Sequence, residues 1–396
     1  MPSTRSAAGA PTSAVGAPTL VSAFAHRRPA LVSAELVLDS KPGALPCAPT
    51  NHSPPGRPLR APRGAKMKSR SLAVCLLGLL LAAPAAAAEG KLRVVTTLTT
   101  YADVARRVGG ERVVAEAIVQ GDQDPHYVRP RPSLAEKLAK ADLFVSSGLD
   151  LELWVDGLLD LSQNPELRSG QRRFVSAAQG VHLLEVPKVL SQSEGHVHIY
   201  GNPHFMLSPL AMKQVARNLA AGLSKIDPEH AAEYAANAKA FGEELDERLV
   251  GKELIATLGA ATTQRLLARP ESFVEFLETK TYKGKPLIDR LGGWMKKAMP
   301  LRGRKVVAYH RNWTYFSDLF GLQVVNFIEP RPGVPPRAEH VAAVVEQMRK
   351  ENIKVLIAAN YYDEGNVREI AERVGARAVI VPLYPEGVPE ATSFPA

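Results

Sequence analysis

Residues 92–97 read Leu-Arg-Val-Val-Thr-Thr, residues 113–119 Val-Val-Ala-Glu-Ala-Ile-Val, and residues 143–147 Leu-Phe-Val-Ser-Ser. Each is a short apolar or β-branched run. Helical patterns separate them, over Tyr101 to Val108 and over Ser133 to Lys140; the latter opens with Ser at the cap and Glu136 three residues on, a capping box. That alternation predicts a parallel sheet covered by helices. A second alternating block begins at Arg304, with strands expected over 305–309, 322–328, 354–358 and 378–381 and helices over 313–320, 337–351 and 364–374. The chain therefore reads as α/β, with two Rossmann-like lobes.

Between the two blocks the pattern turns helical. Leu210, Met212, Val215, Leu219 and Leu223 fall near one face, and Asp227-Pro228-Glu229 marks a fresh helix start, with Asp as cap and Pro in the first turn. Residues 251–303 continue as helical stretches broken at Gly251, Gly284 and Gly292-Gly293, without strand alternation. The expected organisation is a first lobe over 89–207, a long connecting helix over 208–250, a helical insertion over 251–303 and a second lobe over 304–396.

A formal charge of +9 suggests an anionic partner until it is located along the chain. Ten Lys/Arg and two Asp/Glu fall in residues 1–88, which leaves 39 basic and 38 acidic residues in the rest. The body is neutral and carries no run of five like charges, so nucleic acid is not an expected partner. The leader accounts for the excess. Met67-Lys68-Ser69-Arg70 is a positive segment, Leu72 to Leu81 a short apolar run, and Ala85 to Ala88 a small-residue stretch suited to cleavage before Glu89. Residues 67–88 thus read as a secretory signal, too short to span a membrane. Residues 1–66, rich in Ala, Pro, Ser and Arg, read as disordered. A signal does not normally work behind so long an extension, so Met67 is the expected true start. Cys47 and Cys75 both lie in this leader, and the remaining chain has no thiol to offer a metal.

Histidine is then the informative residue. His126 sits in Asp-Pro-His-Tyr, His204 in Asn-Pro-His-Phe and His310 in Val-Val-Ala-Tyr-His-Arg, each just past an expected strand or in a Pro-containing loop. A single histidine is more often a core or surface residue than a ligand, and these separations match no local zinc motif. His196 and His198, with Glu194, read as a solvated turn rather than a metal-collecting loop. His182, His230 and His340 read as structural.

The surrounding text adds more. Gly-Asp-Gln-Asp-Pro-His over 121–126, Leu-Ala-Lys-Ala-Asp-Leu-Phe-Val-Ser-Ser-Gly-Leu over 138–149, Gly-Asn-Pro-His-Phe-Met-Leu-Ser-Pro over 201–209 and Tyr-His-Arg-Asn-Trp-Thr-Tyr-Phe over 309–316 resemble the zinc and manganese solute-binding proteins of bacterial ABC transporters. The resemblance covers roughly residues 92–250 and 301–386. It implies two lobes joined by a long rigid helix, one metal in the cleft between them, and His126, His204 and His310 as ligands. By position it makes Glu386 the fourth, with Glu329, Asp363 or water as alternatives. Zn2+ is the implied cargo and Mn2+ the runner-up, since imidazole suits zinc better than manganese. The implied partners are a membrane permease and its ATPase, the implied location periplasmic, with cleavage near Ala88, and the implied state a monomer.

Three departures stand out. Met206 and Ser208 occupy positions where Trp and Asp are usual, residues 251–303 exceed the usual connector, and the chain stops at Ala396 where relatives continue through a final helix. A secreted hydrolase with a three-histidine zinc would need a general base, and no His-Glu-x-x-His, Gly-x-Ser-x-Gly or phosphate-loop motif occurs. A periplasmic zinc chaperone or store would carry the same ligands.

Overall fold

The computed structural model describes residues 90–187 and 198–394. The leader, the signal segment, Glu194 and His196 lie outside the described residues.

The first lobe is built on β1 (Leu92–Thr96), β2 (Val113–Ala117), β3 (Leu143–Ser146) and β4 (Phe174–Ser176), all parallel in the order β2-β1-β3-β4. Helices α1 (Thr99–Gly109), α2 (Pro132–Ala139) and α3 (Val155–Ser162) make the connections. Strand β3 is buried along its whole length, as a central parallel strand must be when helices cover both faces. The three residues of β4 were not expected from sequence: they follow Arg172-Arg173 and are too few to show a period.

Residues 208–250, expected as a long connecting helix with a fresh start at Asp227-Pro228-Glu229, form two helices that break there. Helix α4 (Pro209–Ile226) starts at Ser208, whose side chain accepts from the Ala211 N–H, with Pro209 in the first turn. It ends at Asp227, because Pro228 has no N–H with which to continue the ladder. Helix α5 (Ala231–Val250) then packs against α4 and lies against α1 as well.

The inserted stretch folds into α6 (Lys252–Leu258), α7 (Ala260–Leu267) and α8 (Pro270–Thr279), a short antiparallel hairpin β5 (Thr281–Tyr282) and β6 (Lys285–Pro286), and α9 (Gly293–Ala298). Lys283 and Gly284 both have positive φ, the requirement of a two-residue hairpin turn. The unit has its own core, in which Leu249, Leu254, Leu267, Phe273 and Leu277 are fully buried and to which Leu319 and Phe320 of the second lobe contribute.

The second lobe repeats the plan of the first. Strands β7 (Lys305–Ala308), β8 (Gln323–Phe327), β9 (Val355–Ala359) and β10 (Arg377–Val381) are parallel in the order β10-β9-β7-β8, connected by α10 (Thr314–Phe320), α11 (Ala338–Lys350) and α12 (Glu364–Glu372). In each lobe the first strand lies between the second and third, so each has one switch point where chain direction in the sheet reverses, the usual seat of a ligand in such folds. After β10 the chain returns to the first lobe: the Phe394 N–H donates to Asp103 (2.8 Å), Thr99 Oγ1 donates to the Pro385 carbonyl (2.7 Å), and the Phe394 ring lies near Phe241.

One buried ion pair fixes α4 to α5. Lys213 Nζ donates to both carboxylate oxygens of Asp246, at 2.6 and 2.7 Å, and Gln264 Nε2 of α7 donates to the same carboxylate at 2.9 Å. Both side chains are over nine-tenths buried. Asp246→Ala would leave the ammonium buried without its counter-ion and is expected to cost about 3–5 kcal/mol, whereas the paired Lys213→Met, Asp246→Leu replacement should cost far less. Urea unfolding of the three proteins separates these outcomes.

Candidate metal centre

Four histidines, not three, converge where the lobes meet. One ring nitrogen from each of His126, His198, His204 and His310 lies within 4.8 Å of the other three. Among the described residues this is the one group of metal-capable side chains so assembled. His198, His204 and His310 are buried and His126 nearly so, its side chain 5% exposed. Three come from loops of the first lobe and the fourth follows β7 of the second.

Each imidazole is held through Nδ1 by an oxygen. His126 Nδ1 donates to Asp124 Oδ1 at 2.6 Å, His198 Nδ1 to Asp150 Oδ1 at 2.8 Å, His204 Nδ1 to Asn202 Oδ1 at 3.0 Å and His310 Nδ1 to the Glu329 carbonyl at 2.8 Å. An oxygen acceptor places the proton on Nδ1 and the lone pair on Nε2, the form that binds a cation. The Nε2 atoms of His126, His204 and His310 are buried without a hydrogen-bond partner among the described residues. Buried acceptors are rarely left in this state unless a ligand uses them.

The local sequence explains two of these grips. In Asp124-Pro125-His126 and in Asn202-Pro203-His204 the same side-chain oxygen accepts from both the backbone N–H and Nδ1 of the histidine two residues on. Proline between them fixes φ and offers no competing donor. The first loop is further pinned by Trp154, whose Nε1 donates to the Pro125 carbonyl at 2.8 Å. Asn202 also reaches the second lobe: its Nδ2 faces the Arg311 carbonyl (3.0 Å) and Thr314 Oγ1 (2.9 Å), and its carbonyl accepts from Tyr315 Oη (2.7 Å). Of the two departures in this loop, Met206 is buried and Ser208 caps α4.

Asp150 holds His198 from a loop beyond β3 and also accepts from the Ile199 N–H at 2.9 Å. Burial pushes the Asp150 carboxyl up, but these hydrogen bonds outweigh it and leave the group below the usual carboxylate range. Behind it Glu152 is buried at the ends of β1 and β3, the first-lobe switch point. It accepts from Thr97 Oγ1 (2.6 Å) and Ser147 Oγ (2.7 Å), and burial raises its pKa to about 7 against the effect of those bonds.

Glu386 is not brought to the imidazoles. The turn containing it lies against Gly121, where a Cβ would stand 2.2 Å from the Pro385 carbonyl oxygen, and its half-exposed side chain meets Arg106 at 3.3 Å. Glu329 serves through its main chain, its carboxylate accepting from the Gly333 N–H (3.0 Å), and Asp363 caps α12. Of the remaining histidines, His230 bonds Asp227 and His340 the Phe327 carbonyl. The sequence signal for His198 was its nearness to His204, six residues on. The signal for the grips was the repeated Asx-Pro-His.

A cleft of about 380 Å³ opens onto His126 and His198, walled by Tyr127, Asp150, Leu153, Arg331 and Val334. Of the aromatics near the ligands, Phe205, Trp313 and Tyr315 are core residues, while Tyr127 is 55% exposed at this mouth.

A family model described as the periplasmic component A of a zinc-uptake complex matches residues 94–282 and 279–395. Curated relatives include the iron-binding protein YfeA of Yersinia pestis, 24% identical over 72% of this chain and 75% of that protein. The zinc-binding lipoprotein AdcA of Streptococcus pneumoniae is 23% identical over 79% of this chain, which spans about half (54%) of AdcA. A solved structure of ZnuA, 21% identical, shares the fold with a TM-score of 0.54, covering 75% of this chain and 92% of the other.

Burial, reinforced by the neighbouring imidazoles, holds His204 well below the usual histidine range, and burial takes His310 down to about 3 despite its bond to Glu329. A histidine whose folded pKa lies below its unfolded value, about 6.5, contributes stability that is complete above that value and is lost as pH falls from there toward 3. The metal-free protein is therefore expected to lose stability relative to His310→Asn as pH falls from about 7 to about 5. Urea unfolding with a chelator present, at both pH values, measures the difference.

Proposed function

Since the chain belongs to the family of periplasmic zinc-uptake components, we propose that it captures one Zn2+ ion between its lobes and delivers it to a membrane permease, whose ATPase drives import. The ligands are His126, His198, His204 and His310. The observation that carries this reading is the set of four imidazoles with Nδ1 anchored to oxygen and Nε2 buried.

Donor chemistry chooses the metal. Four neutral nitrogens suit zinc, whose structural sites are four-coordinate, while manganese favours a mainly oxygen set. Relatives are named for iron, zinc and manganese, so the family alone leaves the ion open, and the all-nitrogen ligand set supports zinc. Carboxylates of Asp124 and Asp150 offset part of the ion's charge through the imidazoles without entering its coordination. The same site would serve a store or chaperone; membership of an uptake-complex family favours delivery. Export of the chain by residues 67–88, with cleavage near Ala88, and action as a monomer complete the reading.

Chelator competition is expected to give tight one-to-one zinc binding, with manganese bound far more weakly. His204→Ala should abolish tight binding, and Asp124→Ala or Asp150→Ala should weaken it by about 10–100-fold. Zinc binding undiminished in His204→Ala would sink the assignment. So would a preference for manganese.

A further inference from the structure

An apolar cavity of about 510 Å³ lies apart from the metal cleft and shares no wall residue with it. Its size falls within the range of about 300–1,000 Å³ that small ligands occupy. Four separate parts of the chain build it. Trp294 and Leu301 come from the inserted unit, Phe316 and Phe320 from α10, Leu207 from the turn before α4, and Phe394 from the returning tail.

Its position explains why it is open. Trp294 and Phe316 each pack on both the main core and the core of the inserted unit yet stay partly exposed, so the cavity is the seam those two cores leave unfilled. Leu301, at 40% exposure, is one of ten large apolar side chains standing in solvent among the described residues, and it stands on this wall. Contiguous apolar surface of this kind marks a binding site more often than chance.

The chemistry of the wall selects the ligand. Among the described residues Lys297 is the one charged side chain on it; its ammonium is exposed and makes no hydrogen bond or ion pair, and no carboxylate stands on the wall to neutralise it. Beyond Lys297 the wall's side chains offer only the hydroxyls of Ser393 and Tyr384. A polar ligand would need several oriented partners inside the cavity. An apolar chain ending in one anionic group needs a single cation and apolar contact elsewhere, which is this wall's composition.

We propose that this cavity binds a single-chain amphipathic anion, a fatty carboxylate, with its chain among Trp294, Phe316 and Phe394 and its head group on Lys297. Leu207 follows His204 by three residues and Phe316 follows His310 by six, so a bound chain touches the segments that carry one imidazole of each lobe. Occupancy therefore ties these segments together and strengthens the hold on the metal; this coupling, though not the site, rests on the zinc reading above.

The test titrates the full chain with dodecanoate below its micelle concentration, followed by tryptophan fluorescence and calorimetry. One equivalent should bind saturably. Dodecanol, the same chain without the charge, should bind about fivefold more weakly, the worth of one partly exposed ion pair. Dodecanoate should lose as much on Lys297→Glu and on Leu301→Asp, whose wild-type side chains are exposed and whose urea midpoints should match wild type. Chelator competition should show dodecanoate raising zinc affinity about fivefold, and zinc should raise dodecanoate affinity by the same factor. No saturable binding by the wild type overturns the site, as does binding undiminished in Lys297→Glu. Saturable binding with zinc affinity unchanged overturns the coupling and upholds the site. A wild type that binds dodecanoate but no zinc overturns the zinc reading and the coupling together, again upholding the site. Sedimentation with phosphatidylglycerol vesicles, abolished in Lys297→Glu, supports the site with a membrane lipid as the source of the acyl anion; dodecanoate binding without such sedimentation supports it with the free acid.

Discussion

The Nδ1–H of each of four histidines donates to an oxygen, and this turns every buried Nε2 toward a common centre. Little else in the site needs explaining once that is given. The oxygens are a carboxylate on the loop beyond β2, a carboxylate on the loop beyond β3, an amide at the head of α4 and a carbonyl at the end of β8. Two of these, the loop beyond β2 and the head of α4, contribute a ligand as well as a grip; the loop beyond β3 and the end of β8 contribute the grip alone. A buried acceptor without a partner costs about 1–3 kcal/mol. Three such atoms side by side are a standing cost to the metal-free fold, and a cation that ligates them removes it. Repulsion and burial work the same way on the proton: His204 and His310 resist protonation, so the cage stays open to a metal where free histidine would already be half charged.

Much of the fold was legible because buried parallel strands read as β-branched runs and the covering helices as amphipathic ones. Seven of the eight lobe strands fall where the sequence put them. The exception, β4, has three residues, too few for a pattern. The connector was harder to read, since both of its halves are helical and the single break at Asp227-Pro228 decides between one rod and two packed helices. In the inserted unit the two-residue strands of the hairpin escape any periodicity; Lys283-Gly284 marks the turn only after positive φ is known.

For the site, His126, His204 and His310 came from the family resemblance of the stretches around them, and the structure brings them together. His198 could not be separated from a solvated turn, because what makes it part of the cluster is Asp150, 48 residues earlier. Glu386 was placed by counting along the chain, a measure blind to the turn at Gly121 that sends its side chain toward Arg106. The two Asx residues were visible in the sequence all along. Their meaning depended on a hydrogen bond that only three-dimensional geometry supplies.

The polypeptide passes between the lobes twice, once through α5 and the inserted helices and once through residues 382–394, whose end returns to α1 at Asp103. The lobes also meet along a seam, where Ala308, Trp313 and Tyr315 share one apolar core with the first lobe and Asn202 bonds across to Arg311 and Thr314. Two bodies joined along a seam as well as by two passages of chain resist rotation about any single line.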